Sequence, residues 1–247
     1  MLNITDLKDE STAFKKKLDA VKREIDPVFP WYPWGTLSNF IHLNGLLRGE
    51  ARDLQKLARG LPAADVGAAD GDLSFYLEEK GLICDIVDYG PTNNNGLRGA
   101  RMLKDRLASN VDIFEMNLDQ AFGWPRKHYG LVFFLGILYH LKNPFFVLES
   151  LAKVSEYALI STRIARFAAD KKTNIDAIPV AYLLHASEAN NDATNYWIFS
   201  DSGLRRILDR SGWNVVDFMR VGNKTNSDPA SNEGDERAFA LIKSRYF

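Results

Sequence analysis

The stretch Ala63-Ala-Asp-Val-Gly-Ala-Ala-Asp-Gly-Asp72 decides how the rest of the chain is read. A short apolar approach ends in Asp65, and glycines follow at 67 and 71. Leu73-Ser-Phe-Tyr-Leu-Glu-Glu-Lys-Gly81 then reads as a helix with a glycine stop. The next run, Leu82-Ile-Cys-Asp-Ile-Val-Asp88, predicts a second strand with a carboxylate at its carboxyl end. Glycines between a strand and a helix let a ligand approach the backbone, and an acid about 20 residues further on suits a ribose diol. Each piece alone also fits an ordinary turn or a loop acid. Their joint spacing around one helix favours nucleoside binding.

Outward from that stretch, strand and helix alternate. Strands are expected at about 63–67, 83–88, 111–116, 130–136 and 157–163, with helices at about 71–80, 96–109 and 143–154. Tyr129-Gly-Leu-Val-Phe-Phe-Leu-Gly136 is apolar without alternation, the mark of a strand buried on both faces of a mainly parallel sheet. Residues 4–26 carry Leu7, Phe14, Leu18, Val21 and Ile25 at helical spacing, and Pro27 and Pro30 stop that helix. The aromatic knot Phe29-Pro-Trp-Tyr-Pro-Trp-Gly35 follows, then a less regular stretch to about 46 and a helical one from Leu47 to Ala58. Residues 164–199 break the rhythm. A helix at 200–211 opens on Ser200 or Asp201 and closes at Gly212. Residues 213–221 and 237–243 read as strands, joined by a polar linker, 222–234, expected to be mobile.

In an open α/β sheet the ligand lies beyond the carboxyl ends of the strands. Asp65 and the loop Gly67, Ala68, Asp70 and Gly71, then Asp88, Asn117 with Leu118, and Gly136 to His140 fall at such ends. A dinucleotide fingerprint beginning at Gly67 would need glycine at 69 and 72, where the chain has Ala69 and Asp72. An oxidoreductase reading therefore lacks its motif. The spacing D-x-G-x-x-x-G suits S-adenosylmethionine (SAM) better, since SAM has no pyrophosphate to seat on a helix and its ammonium welcomes Asp65 or Asp70.

Leu135-Gly-Ile-Leu-Tyr-His-Leu-Lys-Asn-Pro144 resembles the segment after the fourth strand of class I SAM-dependent methyltransferases, most of all the tRNA wobble-uridine carboxymethyltransferase family. Val28-Phe-Pro-Trp31, Asn195-Tyr-Trp-Ile-Phe-Ser200 and Arg237-Ala-Phe-Ala-Leu-Ile242 resemble that family's entrance motif, late segment and final strand. The resemblance spans roughly residues 20–247. It implies a Rossmann-like α/β fold with a seven-stranded, mainly parallel sheet whose last strand is antiparallel. An N-terminal helical extension (1–60) would precede a SAM-binding domain (61–247) with a lid at 164–199. It further implies that Gly67 and Gly71 pass the methionine end, that Asp88 holds the ribose, and that Asn117 and Leu118 flank adenine. Trp31, Trp34, Tyr139, Tyr196, Trp197 and Arg237 become acceptor-site residues. Carboxymethyl-transferring members hold a donor carboxylate with a lysine where this chain has Pro33, so plain SAM is the expected donor.

Composition bounds the rest. At 247 residues, with 46% hydrophobic and 26% charged residues, the chain can bury a full core. Its net charge of −1 lacks the cationic surface of an RNA reader, so a small-molecule acceptor is favoured over tRNA. Lys15, Lys16, Lys17, Lys22 and Arg23 are interrupted by Asp19 and read as a solvated helix face. The single Cys84 and the lack of a signal-like or membrane-spanning run point to the cytoplasm and to no membrane partner. No metal site is expected, and the sequence leaves oligomeric state open. His140 and His185 are the candidate bases, should the acceptor need to lose a proton; for His140 a purely backbone-bonding role is an equal alternative. A SAM-binding partner protein without catalysis also fits the sequence.

Overall fold

A computed structural model describes residues 6–25, 27–232 and 234–247. Residues 4, 5 and 26, at the ends of the expected first helix, lie outside the described residues, as does Glu233 in the linker. The chain forms two compact units, Met1–Phe133 and Phe134–Phe247.

In the first unit, α1 (Leu7–Ile25) buries Leu7, Phe14 and Leu18, while Val21 and Ile25 are half-covered. Strands β1 (Ala63–Val66), β2 (Cys84–Asp88), β3 (Asp112–Glu115) and β4 (Tyr129–Leu135) lie in the order β3-β2-β1-β4, and the pairs in this unit are parallel. Helices α4 (Asp72–Glu79) and α5 (Arg98–Leu107) make the crossovers. Burial explains the unbroken apolar runs: Ala63 to Val66 and Tyr129 to Phe134 are all buried. Asp85, fully buried in β2, is matched by a bidentate Arg126 at 2.7 Å on each oxygen and by the Tyr129 hydroxyl at 2.9 Å. Such full satisfaction lets a charge sit inside a sheet. Cys84 is free and buried.

Two sequence expectations for this unit differ from the structure. The stretch before residue 46, expected to be irregular, holds a 3-10 turn at Thr36–Asn39 and α2 (Phe40–Leu46), which buries Phe40, Leu43 and Leu46. Leu47–Ala58, expected as one helix, is broken. Gly49 adopts φ +54°, a 3-10 turn covers Gly49–Arg52, and the Asp53 side chain caps α3 (Leu54–Ala58) by accepting from the Lys56 N–H. A glycine in the left-handed region and a fresh N-cap are both incompatible with a continuous helix.

The second unit contains α6 (Pro144–Ala152), β5 (Ser155–Ile164), β6 (Ala181–Leu183), β7 (Trp197–Phe199), α7 (Asp201–Arg210), β8 (Trp213–Gly222) and β9 (Glu236–Ser244). Here β9 lies between β5 and β8 and runs antiparallel to both, as expected for the last strand. Nine strands form among the described residues, against seven expected, and β6 is also antiparallel to its neighbour β7. The extra pair lies inside 164–199. Three-residue strands are too short to show a period, so no periodicity marks them. That segment carries its own small core of Ala165, Ile175, Leu184, Ala189 and Ile198. The linker expected to be mobile is pinned. Buried Arg163 of β5 donates to the carbonyls of Asp228 at 3.1 Å and Ser231 at 2.6 Å, and the Ser227 hydroxyl donates to Glu236 at 2.7 Å. Among the described residues no helix is long and apolar enough to cross a membrane.

Candidate functional site

The loop after β1 owes its shape to three left-handed residues, Gly67 at φ +74°, Ala69 at +55° and Gly71 at +81°. Alanine rarely adopts this conformation, and here its neighbours impose it. The Ala69 N–H donates to Asp88 Oδ2 at 2.8 Å, and the Ala69 carbonyl accepts from Asn93 Nδ2 at 3.1 Å. The same Asn93 amide reaches Asp88 Oδ2 at 3.0 Å, while the Tyr89 N–H donates to Asp88 Oδ1 at 2.7 Å. Asp88 thus stands at the end of β2 with both carboxylate oxygens hydrogen-bonded. Burial nevertheless raises its pKa above the ordinary value, with the bonds from Asn93, Tyr89 and Ala69 opposing that shift. Oδ1 accepts a single bond among the described residues, which leaves a lone pair for a hydroxyl donor.

Asp65, at the end of β1, is buried and accepts from the Ser74 hydroxyl at 3.0 Å. Burial pushes its carboxyl from 3.8 up to about 7; Ser74 pulls the other way, and Asp88 and Asp72 add repulsion. An acid whose folded pKa is raised contributes stability fully present below its unfolded value and lost as pH rises through the folded one. We therefore expect the protein to lose about 1 kcal/mol from this group between pH 6 and 8. Asp65→Asn should flatten that slope in denaturant unfolding followed across the same range.

Ala68 is buried beneath the loop. Asp70, expected near a donor ammonium, faces the aromatic segment instead: its two oxygens accept from the Tyr32 N–H and from Asn95 Nδ2, each at 2.7 Å. Trp31 is half-buried beneath Lys22, whose ammonium lies 5.2 Å from the ring centroid, and Trp34 is exposed. Past β3, Asn117 Oδ1 accepts from the Asp119 N–H and Leu118 is buried. Phe114, Met116, Asn117, Gln120 and Phe122 line a cleft of about 370 Å³ there. The asparagines at 93 and 95 were missed in the sequence, although three consecutive asparagines, 93–95, are a visible oddity.

In the second unit, Gly136 turns at φ +76°, and its N–H donates to the Ser161 carbonyl at 2.9 Å. The Tyr139 hydroxyl and an Arg237 guanidinium nitrogen both come within 3.7 Å of where a Gly136 Cβ would stand, and Arg237 lies 5.6 Å from the Tyr139 ring centroid. The Tyr139 carbonyl accepts from the Tyr196 N–H at 2.7 Å, and Trp197 Nε1 donates to the Lys142 carbonyl at 3.3 Å. His140 Nδ1 lies 3.1 Å from the Thr194 carbonyl and 3.0 Å from its hydroxyl, which is itself 2.5 Å from Asp192. A carbonyl only accepts, so Nδ1 carries the proton and Nε2 keeps the lone pair. Burial lowers the His140 pKa below 6.5, so the ring is neutral near pH 7. His185 is exposed, and its partners are the nearby Ser187 and Glu188 in its own turn. The structure gathers Gly136, Tyr139, His140, Tyr196 and Arg237 into one neighbourhood and leaves His185 outside their bonding. Among the described residues no cluster of three or more His, Cys, Asp or Glu could hold a metal.

The mixed α/β fold matches that of solved SAH-bound methyltransferase structures. The N-terminal domain of EvdMO1 with S-adenosylhomocysteine (SAH) bound is 16% identical over 94% of this chain and 97% of its own, with a TM-score of 0.58. The same domain, crystallised in the presence of SAH and D-fucose, gives 0.61 at 14% identity, with the same coverage. The Burkholderia thailandensis 1,6-didemethyltoxoflavin-N1-methyltransferase, bound to its namesake compound and SAH, is 16% identical over 75% of this chain and 72% of its own, with a TM-score of 0.50. No protein-family model matches the sequence, and no curated protein matches it. The likeness to the wobble-uridine family therefore rests on sequence motifs alone.

Proposed function

We propose that this protein is a SAM-dependent methyltransferase acting on a small-molecule acceptor. The observation that carries the reading is Asp88, a carboxylate fixed at the end of β2 by Ala69, Tyr89 and Asn93 with an acceptor site to spare for a ribose hydroxyl. Gly67 and Gly71 bring loop backbone within reach of the methionine end, Asp65 lies under the loop near the amine, and Asn117 with Leu118 flanks the adenine. The sulfonium of SAM supplies an already activated methyl group, so the protein's task is mainly alignment and exclusion of water. In the second unit, Tyr139, Tyr196, Trp197 and Arg237 serve the acceptor, with 164–199 as its lid. The net charge of −1 favours a small acceptor over tRNA, and two of the similar structures were solved with small molecules besides SAH.

For an acceptor that must lose a proton, His140 Nε2 is the base. Because burial holds His140 below 6.5, the fall in turnover on acidification should be centred below pH 6.5. A decline centred above 6.5 would remove His140 from the role. Calorimetry with SAH tests the donor: no binding of SAH or SAM would sink the methyltransferase reading. Tighter binding of carboxy-SAM than of SAM would overturn the inference drawn from Pro33.

A further inference from the structure

Three consecutive asparagines join the donor loop to the aromatic segment. Asn93 holds both Asp88 and the Ala69 carbonyl. Asn94 Nδ2 donates to the Pro30 carbonyl at 3.2 Å, and Asn95 Nδ2 donates to Asp70 Oδ1 at 2.7 Å. The second Asp70 oxygen takes the Tyr32 N–H at 2.7 Å, with the Lys22 ammonium 3.6 Å away. Lys22 in turn grips Asp72 at 2.7 and 2.9 Å and covers the Trp31 ring. Asp70 is 2% exposed and Asn95 3%. A carboxylate buried so deeply is tolerated only when its oxygens are bonded, and here the protein's own groups bond both.

We propose that Asp70 is a positioning residue that couples occupancy of the donor loop to the placement of the aromatic segment 30–34, and that it does not bind the donor's ammonium. The proposal rests on the SAM reading above. Asp70 sits between two left-handed residues, Ala69 and Gly71, and its carboxylate, bonded on both oxygens, ties the loop to Tyr32 and Asn95. A ligand seated on the loop narrows those excursions and with them the opening of the Tyr32 bond. Such coupling is reciprocal: a segment held in place strengthens donor binding by the factor by which the donor steadies the segment.

The test is amide hydrogen exchange at Tyr32, read with and without saturating SAH, alongside SAH affinity, in three proteins. In the wild type SAH should slow exchange at Tyr32 about tenfold, within the usual range for coupled sites. Asp70→Asn sets an amide donor against a donor at Asn95 or Tyr32. It should cut the slowing to about twofold or less and weaken SAH by the same lost factor. Asp70→Asn with Asn95→Asp restores a donor–acceptor pair between the two positions and should recover both readouts. An ammonium ligand would behave differently: affinity would fall in the single variant and stay low in the swapped one, which would overturn the proposal. SAH binding with unchanged Tyr32 exchange would overturn the coupling and leave the donor reading intact. No SAH binding at all would remove both. Should Asp70→Asn fail to fold, Asn94→Ala, at an exposed position, removes the shorter of the two side-chain bonds to the Pro30 carbonyl and leaves the one from Asn95 at 3.4 Å. It should reduce the slowing roughly twofold; an unchanged value there would count against the coupling.

Discussion

Asp88→Ala should weaken SAH binding by tenfold or more in calorimetry. A hydrogen bond to a charged group contributes about 1.5–3 kcal/mol, or roughly ten- to 150-fold in affinity. The substitution also frees the Ala69 N–H and the Asn93 amide, which hold the loop in its left-handed turn. The loss should therefore exceed that of Asp88→Asn, which keeps one acceptor for the ligand or for Ala69. Equal affinities for wild type and Asp88→Ala would mean that the ribose lies elsewhere.

Gly71→Ala should be the most destabilising single-methyl change in the donor loop. At φ +81° an L-residue costs about 1–2 kcal/mol. A Cβ there would also stand 2.6 Å from Ile86 Cδ1 and 3.1 Å from Phe75 Cε2. Ile86 is fully buried in β2, so it has little room to yield, and overpacking adds about 1–3 kcal/mol. The total, roughly 2–5 kcal/mol, corresponds to a drop in Tm on the order of 10 °C. Gly60→Ala separates the two causes. Gly60 has φ +74° but nothing within 4 Å of its would-be Cβ, so only the backbone strain should show. Matching losses at 60 and 71 would refute the packing argument.

The inner strands of the parallel half were readable because β1 and β4 are buried almost throughout. Strands such as Tyr129–Leu135 are apolar on both faces, and the glycines at 67, 71, 136 and 212 all occupy the left-handed region. The two strands flanking the linker were legible in the sequence, and the antiparallel run of β9 followed from the family resemblance. Hidden were β6 and β7, whose three-residue lengths show no periodicity, and the break at Asp53, where one side-chain hydrogen bond outweighs helical propensity. At the candidate site, Asp88 could be picked out by spacing alone. The partners that fix it could not. Asn93 contributes through a side-chain amide, and composition gives no sign of which carbonyl an amide will meet. The same holds for Asp70: its position in the loop suggested a ligand, whereas its bonds lead to Tyr32 and Asn95.

The place of β9 has a consequence for biosynthesis. Every strand pair of the first unit joins residues numbered below 134, so that unit can assemble while later residues are still being added. In the second unit β9 fills the gap between β5 and β8, pairing Tyr157 with Lys243 and Trp213 with Ser244. Until residues 236–244 have emerged, β5 and β8 each present an unpaired edge, the kind that invites pairing with another nascent chain. The interval between completing β8 and completing β9, only a couple of dozen residues, is when a newly made copy is most exposed to misassembly.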